Sequence, residues 1–234
     1  MFSSRTYFLT GGSSGIGESI ANMLIENNAR VIALGRHVEL IKGSGNFFPK
    51  RVDFEQVNQL EEMFKRIIKN EKKIDGVICA AGIGRFSALE QFSFSQMQNV
   101  MNVNFTAHAL LVRLLLPRLK QQEKGDVLFI GSEAALAGGK NGAMYCASKF
   151  AIRGFSQALR EECSKGGVRV SLINPGMVKT PFFDYLDFQP GDDSANYILP
   201  DDVADAAKLV LSARHGTLFD EINMSPLKKV IKFN

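Results

Sequence analysis

Strand-like and helix-like segments alternate along the whole chain, and this alternation narrows the fold more than any composition does. Thr6–Thr10 is apolar and runs into Gly11-Gly12. Behind it Ile16, Ile20, Met23 and Leu24 recur at i, i+4, i+7 and i+8, one face of a helix. Val31–Leu34 reads as a short buried strand ending at Gly35, and Phe47–Val52 as a weaker one. Val57, Leu60, Met63, Phe64, Ile67 and Ile68 mark a second amphipathic helix. Val77–Ala81 is a strand ending at Gly82, followed by a long helical region, Ser95–Gln122. The second half of that region, Ala107–Leu119, is apolar on nearly every side, and Pro117 should kink it or hasten its end. Asp126–Gly131 is a strand, Ala143–Ser164 a helix closed by Gly166-Gly167, and Val168–Ile173 a strand stopped by Asn174-Pro175-Gly176. Thr180–Leu199 has no clean period. Pro200-Asp201-Asp202 opens a helix through Ser212, with Asp as the expected cap, and Glu221–Met224 is the last strand before a basic tail.

Strands separated by helices imply βαβ units, hence a parallel sheet covered on both faces. The chain is 234 residues long, room for one large domain or two small ones at ~150 residues each. It shows no linker, repeat or low-complexity tract, which favours one. The expectation is an α/β fold: a single doubly wound, Rossmann-type domain over residues 1–234. Its parallel sheet should have six to seven strands in the order 3-2-1-4-5-6-7, with helices on both faces. A hydrophobic share of 45% with 22% charged residues excludes a disordered or fibrous chain.

The first strand-to-helix turn reads Thr10-Gly11-Gly12-Ser13-Ser14-Gly15-Ile16-Gly17. The spacing is not that of the usual dinucleotide fingerprint, but the physics is the same. Gly11 lets the chain turn sharply, while Gly15 and Gly17 permit close approach to a pyrophosphate and of helix to sheet. The helix beginning near Gly15 aims free N–H groups at the anion. Glu18 stands where a Walker A lysine would follow the last glycine, which excludes that motif. At the end of the second strand a carboxylate would bind the adenosine ribose and repel a 2′-phosphate. Gly35-Arg36 stands there instead. A guanidinium pairs with phosphate, so NADP(H) is expected over NAD(H), although a solvated surface arginine is the alternative and NAD(H) stays open.

Tyr145 and Lys149 lie four residues apart near a helix start, hence on one face. A free tyrosine, with a pKa of ~10, is a poor acid–base catalyst near neutrality. A nearby ammonium is expected to lower that pKa, so that the pair can exchange a proton with a reacting oxygen. Such pairs also occur by chance on exposed helices.

The order of the motifs carries more weight than any one of them. Thr10–Gly17, Asp53, Ala80-Ala81-Gly82, Asn104, Ser132, Tyr145 with Lys149, and Pro175-Gly176 with Thr180 all fall at the C-terminal ends of strands or on helices beside them. From Thr6 to about Pro226 this run resembles the short, single-domain branch of the short-chain dehydrogenase/reductase family. The resemblance implies an NADP(H)-dependent oxidoreductase that interconverts a carbonyl and an alcohol. It implies that Tyr145 protonates the nascent alkoxide, Lys149 holds the nicotinamide ribose and tunes Tyr145, and Ser132 hydrogen-bonds the substrate oxygen. Asn104, with Asn102 as the competing assignment, would hold a water linking Lys149 to solvent. Asp53 would contact adenine, and Thr180 with the Val178 backbone would clamp the carboxamide. Read singly, Ser132 can be a turn serine, Asn104 a relief for a helix bend and Asp53 a helix cap. Cys79-Ala80-Ala81-Gly82 departs from the family by placing cysteine where asparagine most often braces the central strands. Ser14 stands where many NADP-using members carry a basic residue, leaving Arg36 as the main phosphate contact.

Residues 181–199 should form the substrate loop. Phe182, Phe183, Tyr185, Leu186 and Phe188 suggest an apolar or aromatic substrate, or core packing beneath the loop. A non-catalytic dinucleotide sensor on the same fold is the alternative function. The net charge, 28 − 24 = +4, is too small for a dedicated nucleic-acid binder, and Lys228, Lys229 and Lys232 read as a solvated end. Cys79, Cys146 and Cys163 are odd in number and apolar in setting, as expected of buried thiols in the cytoplasm. No signal peptide fits before the first strand. Ala107–Leu116, the longest apolar stretch, is too short and too interrupted to span a membrane. No metal is called for. The resemblance implies a homodimer or homotetramer through the helices Ala107–Leu119 and Ala143–Ser164.

Overall fold

The computed structural model describes residues 1–38 and 45–233. Seven strands form one parallel sheet: β1 (Thr6–Thr10), β2 (Arg30–Gly35), β3 (Phe47–Arg51), β4 (Gly76–Cys79), β5 (Gly125–Ile130), β6 (Val168–Pro175) and β8 (Glu221–Met224). Their order is β3-β2-β1-β4-β5-β6-β8. This is the doubly wound order expected from the sequence, with β8 as the seventh strand. A separate antiparallel pair joins β7 (Phe188–Pro190) to β9 (Ile231–Phe233).

Side chains alternate across the sheet and feed two cores. On one face Phe8, Ile32, Leu34 and Phe129 pack with α2 (Val57–Lys69), α4 (Ala107–Gln121) and α5 (Ala143–Ser164) through Leu60, Phe64, Leu111, Leu115 and Leu159. On the other, Tyr7, Leu9, Ala33, Ile78 and Leu128 pack with α1 (Gly15–Glu26) and α6 (Pro200–Ser212) through Ile20, Leu24, Val203 and Ala207. A side chain of this size contributes about 1.5–3 kcal/mol when fully buried, which is why the central strands read as unbroken apolar runs.

Several boundaries differ from the sequence expectation. β4 ends at Cys79, not Ala81, because Thr10 draws the next two amides out of the ladder. β6 runs on through Pro175: a proline at the last strand position forfeits no needed donor. Pro117 lies inside its helix, which ends at Gln121, one residue short of the expected Gln122. α6 is capped by Leu199, and Asp202 reaches back to accept the Leu199 N–H at 2.8 Å. Glu221–Met224 is not the last strand, since the basic tail folds back as β9. Two of its lysines pair with acids at the surface: Lys232 donates to Asp192 at 2.9 Å, and Lys229 to Glu133 at 2.5 Å.

The long helix is continuous from α3 (Phe94–Met101) through a π-helical turn, Asn102–Thr106, into α4. At 28 residues it is long and apolar enough to cross a membrane by length and composition, more than the Ala107–Leu116 stretch alone implied. Val100, Val103, Ala107, Leu111, Leu115 and Leu119 are buried, and the last five belong to the core beneath the sheet.

Candidate active site

Parallel strands all deliver their following loops to the same edge, and the singled-out residues collect there. The turn after β1 fits an anion. Ser14 precedes α1 without a side-chain cap, so the first helical N–H groups are not consumed by it. Gly17 lies so close to Gly11 that a Cβ at 17 would fall 2.0 Å from the Gly11 carbonyl oxygen. Ser13 and Ile16 are half-buried and Ser14 is exposed. Thr180 packs against Gly15, and its Oγ1 accepts the Phe182 N–H at 3.3 Å. Val178 pairs with Ile198 just beyond β6, and Gly176 donates to Met224 at 2.8 Å, with Pro175 closing the strand.

The loop after β4 is held from both sides. Ala80 N–H and Ala81 N–H donate to Thr10 Oγ1 at 3.0 and 3.1 Å. Asn104, in the π-helical turn, grips Ile83, two residues on: its Oδ1 accepts Ile83 N–H at 2.8 Å and its Nδ2 donates to Ile83 O at 3.0 Å. Nδ2 also donates to Ser148 Oγ at 3.0 Å, and Ser148 Oγ donates to Tyr145 O at 2.7 Å. The Asn104 amide thus ties the β4 loop to the helix that carries Tyr145, with both N–H donors spent on protein groups. Gly82 lies between Asn104 Oδ1 and Lys149 Nζ, which would stand 3.5 and 3.7 Å from a Cβ placed there. Asn102 is half-buried, and its carbonyl accepts the Ala107 N–H across the π turn.

Ser132 follows β5 and starts a short turn, accepting the Ala134 N–H at 3.1 Å. Its hydroxyl also faces the Tyr145 phenol closely enough to favour the phenolate. Burial pushes the Tyr145 phenol up to about 12, and the Ser132 hydroxyl opposes that rise. Burial pushes Lys149 down to about 8. Lys149 Nζ donates to Ile130 O at 3.2 Å and stands 5.7 Å from the centre of the Tyr145 ring. The expected lowering of the phenol by the ammonium is not seen. The ammonium lies over the ring face, and desolvation of the phenolate dominates.

Aromatic rings surround Tyr145. Phe86 lies 4.9 Å and Phe182 5.9 Å from it between ring centres. Phe188 stands edge-on to Phe86 at 4.9 Å, and Phe183 touches both Phe182 and Phe188. Tyr185 is exposed. Phe188 begins β7, which pairs with β9.

Arg36 and Asp53 lie apart from this cluster, where β2 and β3 end. Arg36 pairs with Glu55 at 2.9 Å, and Asp53 Oδ1 accepts the Glu55 N–H at 3.1 Å. Asp53 therefore braces a turn before α2 instead of capping that helix, whose cap is Gln56.

Sequence reasoning missed three contributors. Phe86 had no signal in sequence. Glu55 stood two residues from a singled-out acid. His108 was visible as the one histidine in an apolar helix: it is buried, and its Nε2 meets Thr10 Oγ1 at 3.1 Å. Cys79 is buried, and burial raises its thiol, so it is no reactive centre.

Comparison with known proteins agrees with this geometry. The family described as short chain dehydrogenase matches residues 5–189. An uncharacterized oxidoreductase of Staphylococcus epidermidis is 28% identical over 94% of this chain and 96% of its own length. A 3-oxoacyl-acyl-carrier-protein reductase of Rickettsia prowazekii is 28% identical over 89% of both chains. Among solved structures, an alcohol dehydrogenase from Thermococcus sibiricus complexed with 5-hydroxy-NADP superposes with a TM-score of 0.84. It is 25% identical, covering 97% of this chain and 98% of that one.

Proposed function

Because the chain belongs to the short-chain dehydrogenase family, we propose that it is an NADP(H)-dependent oxidoreductase interconverting a carbonyl and an alcohol on a small apolar or aromatic substrate. The observation that carries the reading is the placing of the Ser132 hydroxyl where it lowers the pKa of Tyr145, whose ring lies against Phe86 and Phe182. It offers two hydroxyls to one substrate oxygen inside an apolar surround.

The nicotinamide dinucleotide, when bound, supplies or accepts the hydride. The turn Gly11–Gly17 would take the pyrophosphate on the α1 amides, and Asp53 would contact the adenine. Ala80, Ala81 and Gly82 would line its ribose side, and Pro175, Gly176, Val178 and Thr180 would enclose the carboxamide. Arg36 would face a 2′-phosphate. Relatives include one named as a 3-oxoacyl-acyl-carrier-protein reductase and an alcohol dehydrogenase solved with 5-hydroxy-NADP, which supports both the reaction class and the phosphate.

In reduction, Ser132 and Tyr145 donate hydrogen bonds to the carbonyl oxygen, where negative charge develops. The Tyr145 phenol then gives that oxygen its proton. A phenol held near 12 carries its proton at neutral pH and gives it up only to a stronger base, the alkoxide that forms on the substrate as the hydride arrives. Lys149, brought down to about 8 by burial and held by its bond to Ile130 O, would hold the ribose hydroxyls. Asn104 fixes both the helix and the loop around them.

Residues 181–199 form the substrate loop within one domain of 234 residues. Homodimers or homotetramers through α4 and α5, with Phe150 exposed on α5, fit this reading, as does a cytoplasmic setting for three buried free thiols. The partner is a small molecule, with no role for nucleic acid or membrane. A panel of ketones, aldehydes and secondary alcohols with NADPH or NADP⁺ tests the substrate class. Turnover should favour apolar and aromatic carbonyls, whereas a preference for small charged ones would sink the apolar-pocket reading.

A further inference from the structure

Arg36 already has a partner. Its Nη1 donates to Glu55 Oε1 at 2.9 Å, and both side chains are partly exposed, 51% and 34%. The pairing follows from the fold. Gly35 lies opposite Arg51 in the β2–β3 register, and Val52 N–H donates to Gly35 O at 3.0 Å. The chain leaving β3 therefore passes beside the chain leaving β2. Asp53 then accepts the Glu55 N–H, closing a turn that presents Glu55 beside the guanidinium.

We propose that Glu55 is a specificity-determining residue set against Arg36, its carboxylate competing with the adenosine 2′-phosphate for the guanidinium. The inference rests on the reading of Arg36 as the phosphate contact and adds its counterweight. A phosphate that reaches Arg36 must displace Glu55 from one edge of the guanidinium or sit beside a like charge. NADH carries no 2′-phosphate and meets neither penalty. Glu55 thus narrows the preference for NADPH over NADH without touching the reacting atoms. Because the pair is partly exposed, the effect is modest and screened by salt.

The test is equilibrium binding to the full chain. NADPH and NADH are titrated by cofactor fluorescence into wild type, Glu55→Gln and Arg36→Leu, with 2′,5′-ADP and 5′-AMP titrated by calorimetry. Glu55→Gln should tighten NADPH and 2′,5′-ADP about fivefold to tenfold at low ionic strength and less at high, leaving NADH and 5′-AMP within about twofold. Arg36→Leu should lose most of the NADPH preference. If Arg36→Leu loses it but Glu55→Gln leaves the NADPH-to-NADH ratio unchanged or lower, the inference about Glu55 is overturned and the phosphate reading stands. If Arg36→Leu binds NADPH as tightly as wild type, both are overturned.

Discussion

The hydroxyl of Thr10 and the imidazole of His108 meet at 3.1 Å inside the protein. Thr10 Oγ1 already accepts the N–H groups of Ala80 and Ala81, so its own proton goes to His108 Nε2. That requires a neutral imidazole. Burial pushes His108 down to about 3, the Lys149 charge reinforces this, and the Asn104 carbonyl opposes it. One buried histidine thus fixes the proton that lets Thr10 brace the β4 loop.

Acid stability should report this histidine. Its folded pKa, about 3, lies below the usual ~6.5, so the unfolded chain binds the extra proton between those values. Stability from this group is present above about 6.5 and is lost as pH falls toward 3, at a limiting ~1.4 kcal/mol per pH unit. Denaturant unfolding across that range should show a shallower acid slope in His108→Gln than in wild type. Equal slopes would remove His108 from the account.

Lys149 makes the opposite trade between stability and function. Burial holds it near 8, below its ordinary value of 10.5, so the unfolded chain binds its proton more strongly between those values. The cost is fully present below about pH 8 and is relieved as pH rises toward 10.5. Lys149→Met should therefore stabilise the cofactor-free protein by roughly 1–3 kcal/mol at pH 7 while abolishing turnover. Thermal melts and an assay on the best ketone check both halves. A destabilised Lys149→Met would show that its hydrogen bond to Ile130 outweighs its desolvation.

How much of this was legible beforehand follows from range. The sheet order and the sites at strand ends were readable because each depends on local signals: apolar runs, glycines at turns and a Tyr-to-Lys spacing of one helical turn. The Thr10–His108 bond joins residues 98 apart, and β9 joins β7 across more than 40 positions, and neither leaves a local pattern. The basic tail misled for the same reason, because it finds its partner strand only in three dimensions. Tyr145 was placed correctly at its helix start, but its burial, which sets the direction of its pKa, is a property of the folded chain.

The tail should hold the substrate loop. β9 pairs Phe233 with Phe188, Gly191 N–H donates to Val230 O at 3.0 Å, and Lys228 N–H donates to Ala195 O at 2.9 Å. Deleting residues 227–234 should speed proteolysis within 182–193 and raise KM for an apolar ketone about tenfold, with NADPH affinity within twofold of wild type. Unchanged cleavage and KM would mean that the loop stands without the tail.

Gly84 offers a subtler lever on the same wall. A Cβ there would fall 2.3 Å from the Phe182 ring, which packs against Tyr145, so Gly84→Ala must displace that ring. KM for aromatic ketones should rise severalfold more than KM for small aliphatic ones. A uniform change would count against Phe182 as part of the substrate wall.

The most direct measurement is the turnover of Tyr145→Phe beside its NADPH affinity. The substitution keeps the ring against Phe86 and Phe182 and removes only the hydroxyl. Turnover on the best ketone should fall by at least about 1,000-fold, while NADPH binds within about threefold of wild type. Turnover within tenfold of wild type would contradict the assignment of Tyr145 as the proton donor, and the proposed mechanism with it.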